Sequence, residues 1–241
     1  MKNSFLLGFT LLVITMANGQ WGKKIKGNGN VVSIERNTLD YDEVSVAGWF
    51  NVELVEGKEG KITLKGEENL LEYIETEVKN GKLTIKVEKG ATLQPSGWKN
   101  TVFVTVPVER IDAVSLSGSG DIVANKMLKA NTFRTNVSGS GNVSLRVEAQ
   151  TLSTTVSGSG DVQLSGRTEE LSVSVSGSGD LKAFDLDADH VNVSISGSAD
   201  VRITSNKSLK AHVSGSGNIT YRGNPERLES KSSGSGKISK G

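Results

Sequence analysis

The stretch VSVSGSGDL, residues 173–181, combines the pattern of a β-strand with a glycine-rich corner. Val173, Val175 and Leu181 all lie at odd positions, and this alternation of apolar and polar residues is typical of a half-buried strand. Ser-Gly-Ser-Gly alone has the composition of a flexible linker. Because the alternation keeps its phase across the glycines, we interpret the stretch as two strands joined by a tight corner.

Near copies of this corner recur through the C-terminal half of the chain. They begin at Ser117, Ser138, Ser157, Ser176, Ser196, Ser214 and Ser233. Successive copies are separated by 18 to 21 residues, and a fixed period of this size indicates stacked structural repeats. The apolar positions keep the same phase in each copy, which a disordered linker has no reason to do.

Each repeat has room for two short strands and two turns, which make one coil of a solenoid whose coils stack about 4.8 Å apart. The sequence therefore predicts an all-β protein, a single-stranded parallel β-helix or solenoid with about 19–20 residues per coil in its C-terminal half. Because parallel crossovers are nearly always right-handed, we expect right-handed winding. The N-terminal half is expected to form longer, irregular coils.

Glycine is the residue that reaches sharp corner conformations at the lowest cost. The first glycine of the tract is present in all seven copies, as Gly118, Gly139, Gly158, Gly177, Gly197, Gly215 and Gly234. We predict that these residues are structural corners, with positive φ or close backbone packing. The second glycine is replaced by Ala199 in the fifth copy, so the second position is expected to tolerate a Cβ.

The chain divides into a leader, a lead-in and one domain. Residues 1–19 have a positive start, an apolar run and a small-residue cleavage site, which together indicate a secretory signal peptide. Residues 20–37 form a lead-in, and residues 38–241 form a single β-solenoid domain. Within that domain, residues 38–110 are predicted to be irregular coils and a cap, and residues 111–241 are the regular repeats.

The amino-acid composition limits where the protein can be located and which partners it can bind. The chain has no cysteine, so it contains no disulfide and lacks the cysteine that anchors a lipoprotein. No stretch after the leader is long and apolar enough for a membrane span. Basic and acidic residues number 28 and 27, which does not favour nucleic acid as a partner. We expect an exported protein of the periplasm, the outer surface or the medium.

A divergent copy of the repeat lies near the N-terminus, where VAGWFNVEL (46–54) aligns without a gap with VSGSGDVQL (156–164). The segments VAGWFNVELVEG (46–57), ENLLEYIETEVKNGKLTI (68–85) and SGSGNITYRGNP (214–225), with the serial corners, resemble a family of exported bacterial proteins. That family is described as "putative auto-transporter adhesin, head GIN domain" and is common in Bacteroidetes. The resemblance implies a β-helical fold, a cell-envelope location and binding to other surfaces.

Two groups of residues are candidate ligand sites. Asp161, Asp180 and Asp200 follow successive corners and would stack in a column, which forms either a structural turn ladder or a Ca²⁺ site; no other cofactor is expected. Trp49 and Phe50 replace Ser and Gly in the divergent copy. Their rings would either stack on a sugar or pack in the cap. The outward serines and threonines of the repeats would form a polar lattice suited to a glycan.

The repeat pattern does not favour catalysis. Glycoside hydrolysis needs two carboxyl groups in different environments, whereas repeated corner aspartates share one environment. We therefore predict a non-catalytic surface or envelope protein, an adhesin or binding module for a glycan or a protein. A polysaccharide-degrading β-helix enzyme and a self-assembling scaffold are the alternatives. Lys231, Lys237 and Lys240 near the last coil are typical of a protected sheet edge, so a monomer or a small homo-oligomer through coil-end contacts is expected.

Overall fold

A computed structural model of the chain describes residues 23–97 and 101–241. The predicted signal peptide, residues 1–19, lies outside them. The N-terminal elements are β1 (Lys23–Lys26), β2 (Val31–Asn37), β3 (Glu43–Gly48), β4 (Asn51–Glu56), β5 (Lys61–Glu67), α1 (Glu68–Leu71), β6 (Ile74–Lys79), β7 (Lys82–Val87), β8 (Ala91–Gln94) and β9 (Phe103–Val108).

The regular half consists of strands alone. They are β10 (Ala113–Gly118), β11 (Ile122–Gly139), β12 (Val143–Gly158), β13 (Val162–Gly177), β14 (Leu181–Gly197), β15 (Asp200–Thr204), β16 (Ser208–Gly215), β17 (Asn218–Arg222), β18 (Arg227–Gly234) and β19 (Ile238–Lys240). Each of the long strands β11 to β14 contains most of one coil, from one glycine corner to the next.

The coils of the regular half pair in parallel, with their corners in register. Gly139 pairs with Gly158, and Gly158 pairs with Gly177. The same register continues through Gly197 to Gly215. About seven coils stack in this way, so the predicted all-β parallel solenoid is confirmed.

The core is the interior of the coil stack, where inward side chains form columns. One column contains Phe133, Leu152, Leu171 and Val191, which are paired in register from coil to coil and almost inaccessible. Burying an aliphatic or aromatic side chain of this size contributes about 1.5–3 kcal/mol. The period-two alternation in the sequence therefore forms the core directly, because every second residue adds to a column.

The N-terminal region joins the same sheet but includes antiparallel pairs. Strand β3 pairs in parallel with β7 and β10, and β4 pairs in parallel with β9 and β11. Antiparallel pairs form between β2 and β5, between β5 and β9, and between β6 and β7. Strands β1 and β8 form a separate two-stranded parallel sheet. The first coil is thus followed by hairpin-like strands, which the sequence did not predict, instead of another simple coil.

The divergent copy occupies the place that its alignment predicted. Gly48 pairs with the corner glycine Gly118, and Val52 pairs with Ile122 of the next coil. The short helix α1 ends at Leu71, and β6 begins at Ile74. Within residues 23–97 and 101–241, no helix has the length and apolarity that crossing a membrane requires.

Candidate functional site

The seven predicted corner glycines all have φ between 124° and 143°, a conformation that residues with a Cβ rarely adopt. A Cβ built on Gly158 would lie 2.5 Å from the carbonyl oxygen of Gly139. A Cβ on Gly177 would lie 2.3 Å from the carbonyl oxygen of Gly158. Glycine is therefore required at these positions for its backbone angle and also for the close approach of the next coil.

Hydrogen bonds between corners explain this close approach. The Gly139 carbonyl oxygen accepts bonds from the N–H groups of Ser159, at 2.8 Å, and Gly160, at 3.0 Å. The Gly158 carbonyl oxygen accepts the same two bonds from the next corner, at 2.9 and 3.1 Å. A side chain at the corner would separate these groups, so the corners have a structural role.

Ala199, at the second position of its corner, is fully buried. At its corner only Ser198 donates to the Gly177 carbonyl oxygen among the described residues, whereas at the other six corners the second-position N–H donates to the preceding corner. At the equivalent position in another coil, a Cβ on Gly160 would lie 2.2 Å from the Gly141 carbonyl oxygen. The second position thus accepts a Cβ where the corner gives up one hydrogen bond.

The Asp and Asn residues after the corners form a hydrogen-bonded column. The Asp161 Oδ1 accepts a bond from the Asp180 N–H at 3.0 Å, and the Asp180 Oδ1 accepts one from the Asp200 N–H at 2.9 Å. Asn142 and Asn218 accept bonds from the following coil in the same way. Each of these four side chains thus accepts a bond from a backbone N–H of the next coil, which is the arrangement of a structural ladder, and Asp200 Oδ1 accepts one from the Asn218 side chain.

Asp161 is held as a carboxylate by these contacts. Burial acts to raise its pKa, but the Asp180 N–H and the Lys182 Nζ, 3.1 Å from Oδ2, outweigh burial and hold the pKa below its usual value. In the described ranges 23–97 and 101–241, no group of three His, Cys, Asp or Glu residues could hold a metal ion. A Ca²⁺ site at Asp161, Asp180 and Asp200 stays a prediction that this geometry does not support.

Of the two alternatives for Trp49 and Phe50, the ring of Phe50 takes the packed one. Phe50 is fully buried, and its ring lies against Gly48, where an added Cβ would approach the ring to 2.7 Å. Trp49 is half-buried and packs against the core, with its ring centroid 5.5 Å from that of Phe50. Phe50 is enclosed because it occupies the inward second position of the corner, the position that Ala199 fills in a later coil.

A long groove that the sequence analysis missed runs across the coils on another side of the solenoid. Its volume is about 990 Å³. Small residues paired in register form its floor, namely Ala130, Ala149 and Thr168. Beyond His190 and Lys207 it continues into a second depression of about 490 Å³. Five coil-to-coil steps of about 4.8 Å give the groove a length of about 24 Å.

Charged side chains of alternating sign line one rim of the groove. Lys129, Glu148 and Arg167 are paired in register on three successive coils. Lys129 Nζ lies 3.2 Å from Glu148 Oε2. Arg167 is exposed and makes no ion pair with any residue in the described part of the chain. Its guanidinium group is therefore available to a ligand in the groove.

The opposite rim is formed by Gln150, Glu169 and Asp189. Lys207 Nζ lies 2.7 Å from Asp189 Oδ2, and this hydrogen bond holds the pKa of Asp189 below its usual value. The groove therefore offers carboxylates that are held by lysine side chains and, beside them, the unpaired guanidinium group of Arg167. Such an arrangement suits hydrogen bonding to an extended polar ligand.

Comparison with known proteins identifies the fold and the family. A putative adhesin from Bacteroides fragilis is 22% identical, with a TM-score of 0.84 over 90% of this chain and 99% of that chain. A structure described as a putative lipid binding protein, from Parabacteroides distasonis, is 28% identical, with a TM-score of 0.75 over 91% and 100%. A putative adhesin from Parabacteroides merdae is 23% identical, with a TM-score of 0.69 over 91% and 99%.

Among curated proteins, no sequence matches this chain. The model of the family described as "Putative auto-transporter adhesin, head GIN domain" matches residues 40–225, which is most of the chain. This range includes the divergent first copy of the repeat and six of the seven serial corners. The chain therefore belongs to the auto-transporter adhesin, head GIN domain family.

Proposed function

We propose that this protein is an exported, non-catalytic binding protein of the cell envelope or cell surface, which holds an extended glycan or polypeptide in its long groove. The observation that carries the proposal is the groove itself, about 990 Å³ in volume, with charged rims that repeat once per coil. Family membership supports a role in adhesion, and the predicted signal peptide supports export.

The repeating geometry suits a polymer better than a small molecule. The Lys129, Glu148 and Arg167 side chains recur at the coil spacing of about 4.8 Å along the groove. A ligand with regularly spaced hydroxyl, amide or charged groups would meet one charged side chain at each step, with the sign alternating from coil to coil. The planar guanidinium of Arg167 offers several donors to such a ligand.

The electrostatics of the carboxyl groups support the non-catalytic part of the proposal. A glycoside hydrolase needs one carboxyl group whose pKa is raised, so that it can donate a proton. The pKa values of Asp161 and Asp189 are shifted the other way, downward. Their lysine partners and backbone donors favour the charged form, which serves binding and stability.

One structural neighbour is described as a putative lipid binding protein, and the lining of the groove indicates how a lipid could be bound here. The floor offers only small side chains, and the rims carry Lys129, Glu148, Arg167 and Glu169. Such a surface does not suit an acyl chain, because apolar burial drives the binding of acyl chains. A lipid ligand would be held through its polar headgroup.

The test is a combined glycan and extended-peptide array probed with the purified protein, first with Ca²⁺ and then with chelator. We expect binding that Arg167→Glu weakens and that Lys61→Glu leaves unchanged, because Lys61 pairs with Glu35 on the N-terminal strands. A blank array in both buffers contradicts the proposal. Binding that Arg167→Glu does not change contradicts the groove as its site. Loss of binding in chelator alone supports the predicted Ca²⁺ site.

A further inference from the structure

Strand β18 forms an open edge of the sheet. It pairs in parallel with β16 on one side, from Arg227 to Gly234, and has no second partner in the described part of the chain. All eight of its residues are exposed. An edge strand of this length presents a row of backbone N–H and C=O groups that can pair with another strand.

The inward face of β18 covers the end of the core incompletely. Leu228 pairs with Leu209 and continues its column, yet it is 47% exposed. The next inward positions, above Ala211 and Val213, are occupied by Ser230 and Ser232. An added strand would cover Leu228 and complete the end of the core.

The outward face of β18 carries a charge pattern that is complementary to itself. Arg227, Glu229 and Lys231 alternate with the inward residues. We propose that β18 pairs antiparallel with β18 of a second copy of this chain, with the two-fold axis at Ser230. In this register Glu229 lies opposite Lys231 of the second copy, and the symmetry forms this pair twice.

The charges also select this register over its neighbours. A shift of two residues in one direction places Glu229 opposite itself, and in the other direction it places Lys231 opposite itself. Like charges directly opposite each other destabilise a strand pair. A shift of one residue would pair inward residues with outward ones and so separate the two cores. The proposed register also places Leu228 opposite Ser232 of the second copy, where each inward side chain is covered.

The interface consists of one strand from each copy, so we expect a weak dimer that forms only at high protein concentration. Analytical ultracentrifugation up to about 0.5 mM, a range that suits such small interfaces, tests this. We expect Glu229→Lys and Lys231→Glu each to weaken dimerisation by at least about tenfold. Neither side chain has a hydrogen bond or ion pair within the described residues, so both variants should fold, which circular dichroism checks.

A mixture of the two single variants is the decisive control. Each variant alone opposes like charges, whereas a mixture of Glu229→Lys with Lys231→Glu restores two opposite-charge pairs. We expect the mixture, and also the double variant, to dimerise like the unchanged protein. Lys61→Glu, on the N-terminal strands, should have no effect. A monomer at all concentrations would mean that Lys231 protects the edge, and it would overturn the proposal. A dimer that is insensitive to the single reversals, or a mixture that stays monomeric, would overturn it equally.

Discussion

Glu67 Oε1 accepts a hydrogen bond from the Gly29 N–H at 2.6 Å. Its other oxygen, Oε2, accepts a bond from the Ser96 N–H at 2.9 Å. Glu67 is fully buried at the end of β5, and the two donors lie on segments about 30 to 40 residues away in sequence. One carboxylate therefore fastens the segment before β2 and the segment after β8 to the N-terminal strands.

Replacing this carboxylate should loosen the N-terminal region. Glu67→Gln keeps the shape but directs an NH₂ group at a backbone N–H, so that a buried donor loses its acceptor. We expect a loss of about 1–3 kcal/mol in the free energy of unfolding, measured by urea denaturation. Glu72→Gln, at an exposed position on the same segment, is the control and should change little. Equal stability of the two variants would show that the Gly29 and Ser96 contacts contribute nothing.

Two glycine variants separate the free-energy cost of backbone strain from the cost of disturbing the packing between coils. Gly158→Ala introduces a Cβ at φ 124° and places it 2.5 Å from the Gly139 carbonyl oxygen. Gly60 has φ 113°, yet nothing lies within 4 Å of an added Cβ there. Gly60→Ala should therefore cost about 1–2 kcal/mol for strain alone, and Gly158→Ala should cost clearly more. Thermal and urea unfolding measure both. Similar losses would mean that the coils separate easily at the corners.

The core contains two buried hydroxyl groups that have no hydrogen-bond partner among the described residues. They belong to Thr135 and Thr154, which lie in the same inward column as Val173. Thr154→Val replaces the buried hydroxyl with a methyl group of similar size. We expect stabilisation of about 1 kcal/mol, measured as a higher urea midpoint with an unchanged slope. Thr155→Val, on the exposed face, is the control. A loss of stability in Thr154→Val would indicate that the hydroxyl bonds to buried water.

The regular coils could be predicted from the sequence because their signals are local. The period near 20, the alternation and the first glycine each report on a few neighbouring residues, and stacking follows from repetition. The hairpin of β6 and β7 also left a local signal. Asn80 and Gly81, both with positive φ, form the Asn-Gly turn that favours such hairpins.

The groove could not be predicted in the same way. Its floor consists of small residues such as Ala149 and Thr168, and a hollow above them is a property of the folded coils. The sequence has a charged residue every 19 positions at Lys129, Glu148 and Arg167. This spacing predicts a column of charged side chains, but it does not predict a groove beside that column. The choice between the two alternatives for Phe50 could not be made from the sequence for a related reason. Its alignment with the second corner position was available, but whether that position points inward is a property of the folded corner.

The Asp column should make stability depend on pH in the acid range. The pKa of Asp161 is lowered in the folded protein, because the bonds from Asp180 and Lys182 outweigh the effect of burial. A lowered pKa contributes stability that is present above the usual aspartate pKa of 3.8 and is lost as the pH falls through the folded value. We expect the free energy of unfolding to decline below about pH 4, as measured by urea denaturation across that range.

Asp161→Asn tests the origin of this decline. The column already contains Asn142 and Asn218, whose amide oxygens accept the same backbone bonds, so the variant should fold with its ladder intact. It should be less sensitive to acid than the unchanged protein, because it lacks one titrating carboxylate. At neutral pH it should lose only the ion pair with Lys182. Lys182→Met removes the same ion pair by changing its other partner and is the matched control. If Asp161→Asn declined with pH as steeply as the unchanged protein, the acid sensitivity would have to come from carboxylates outside the column.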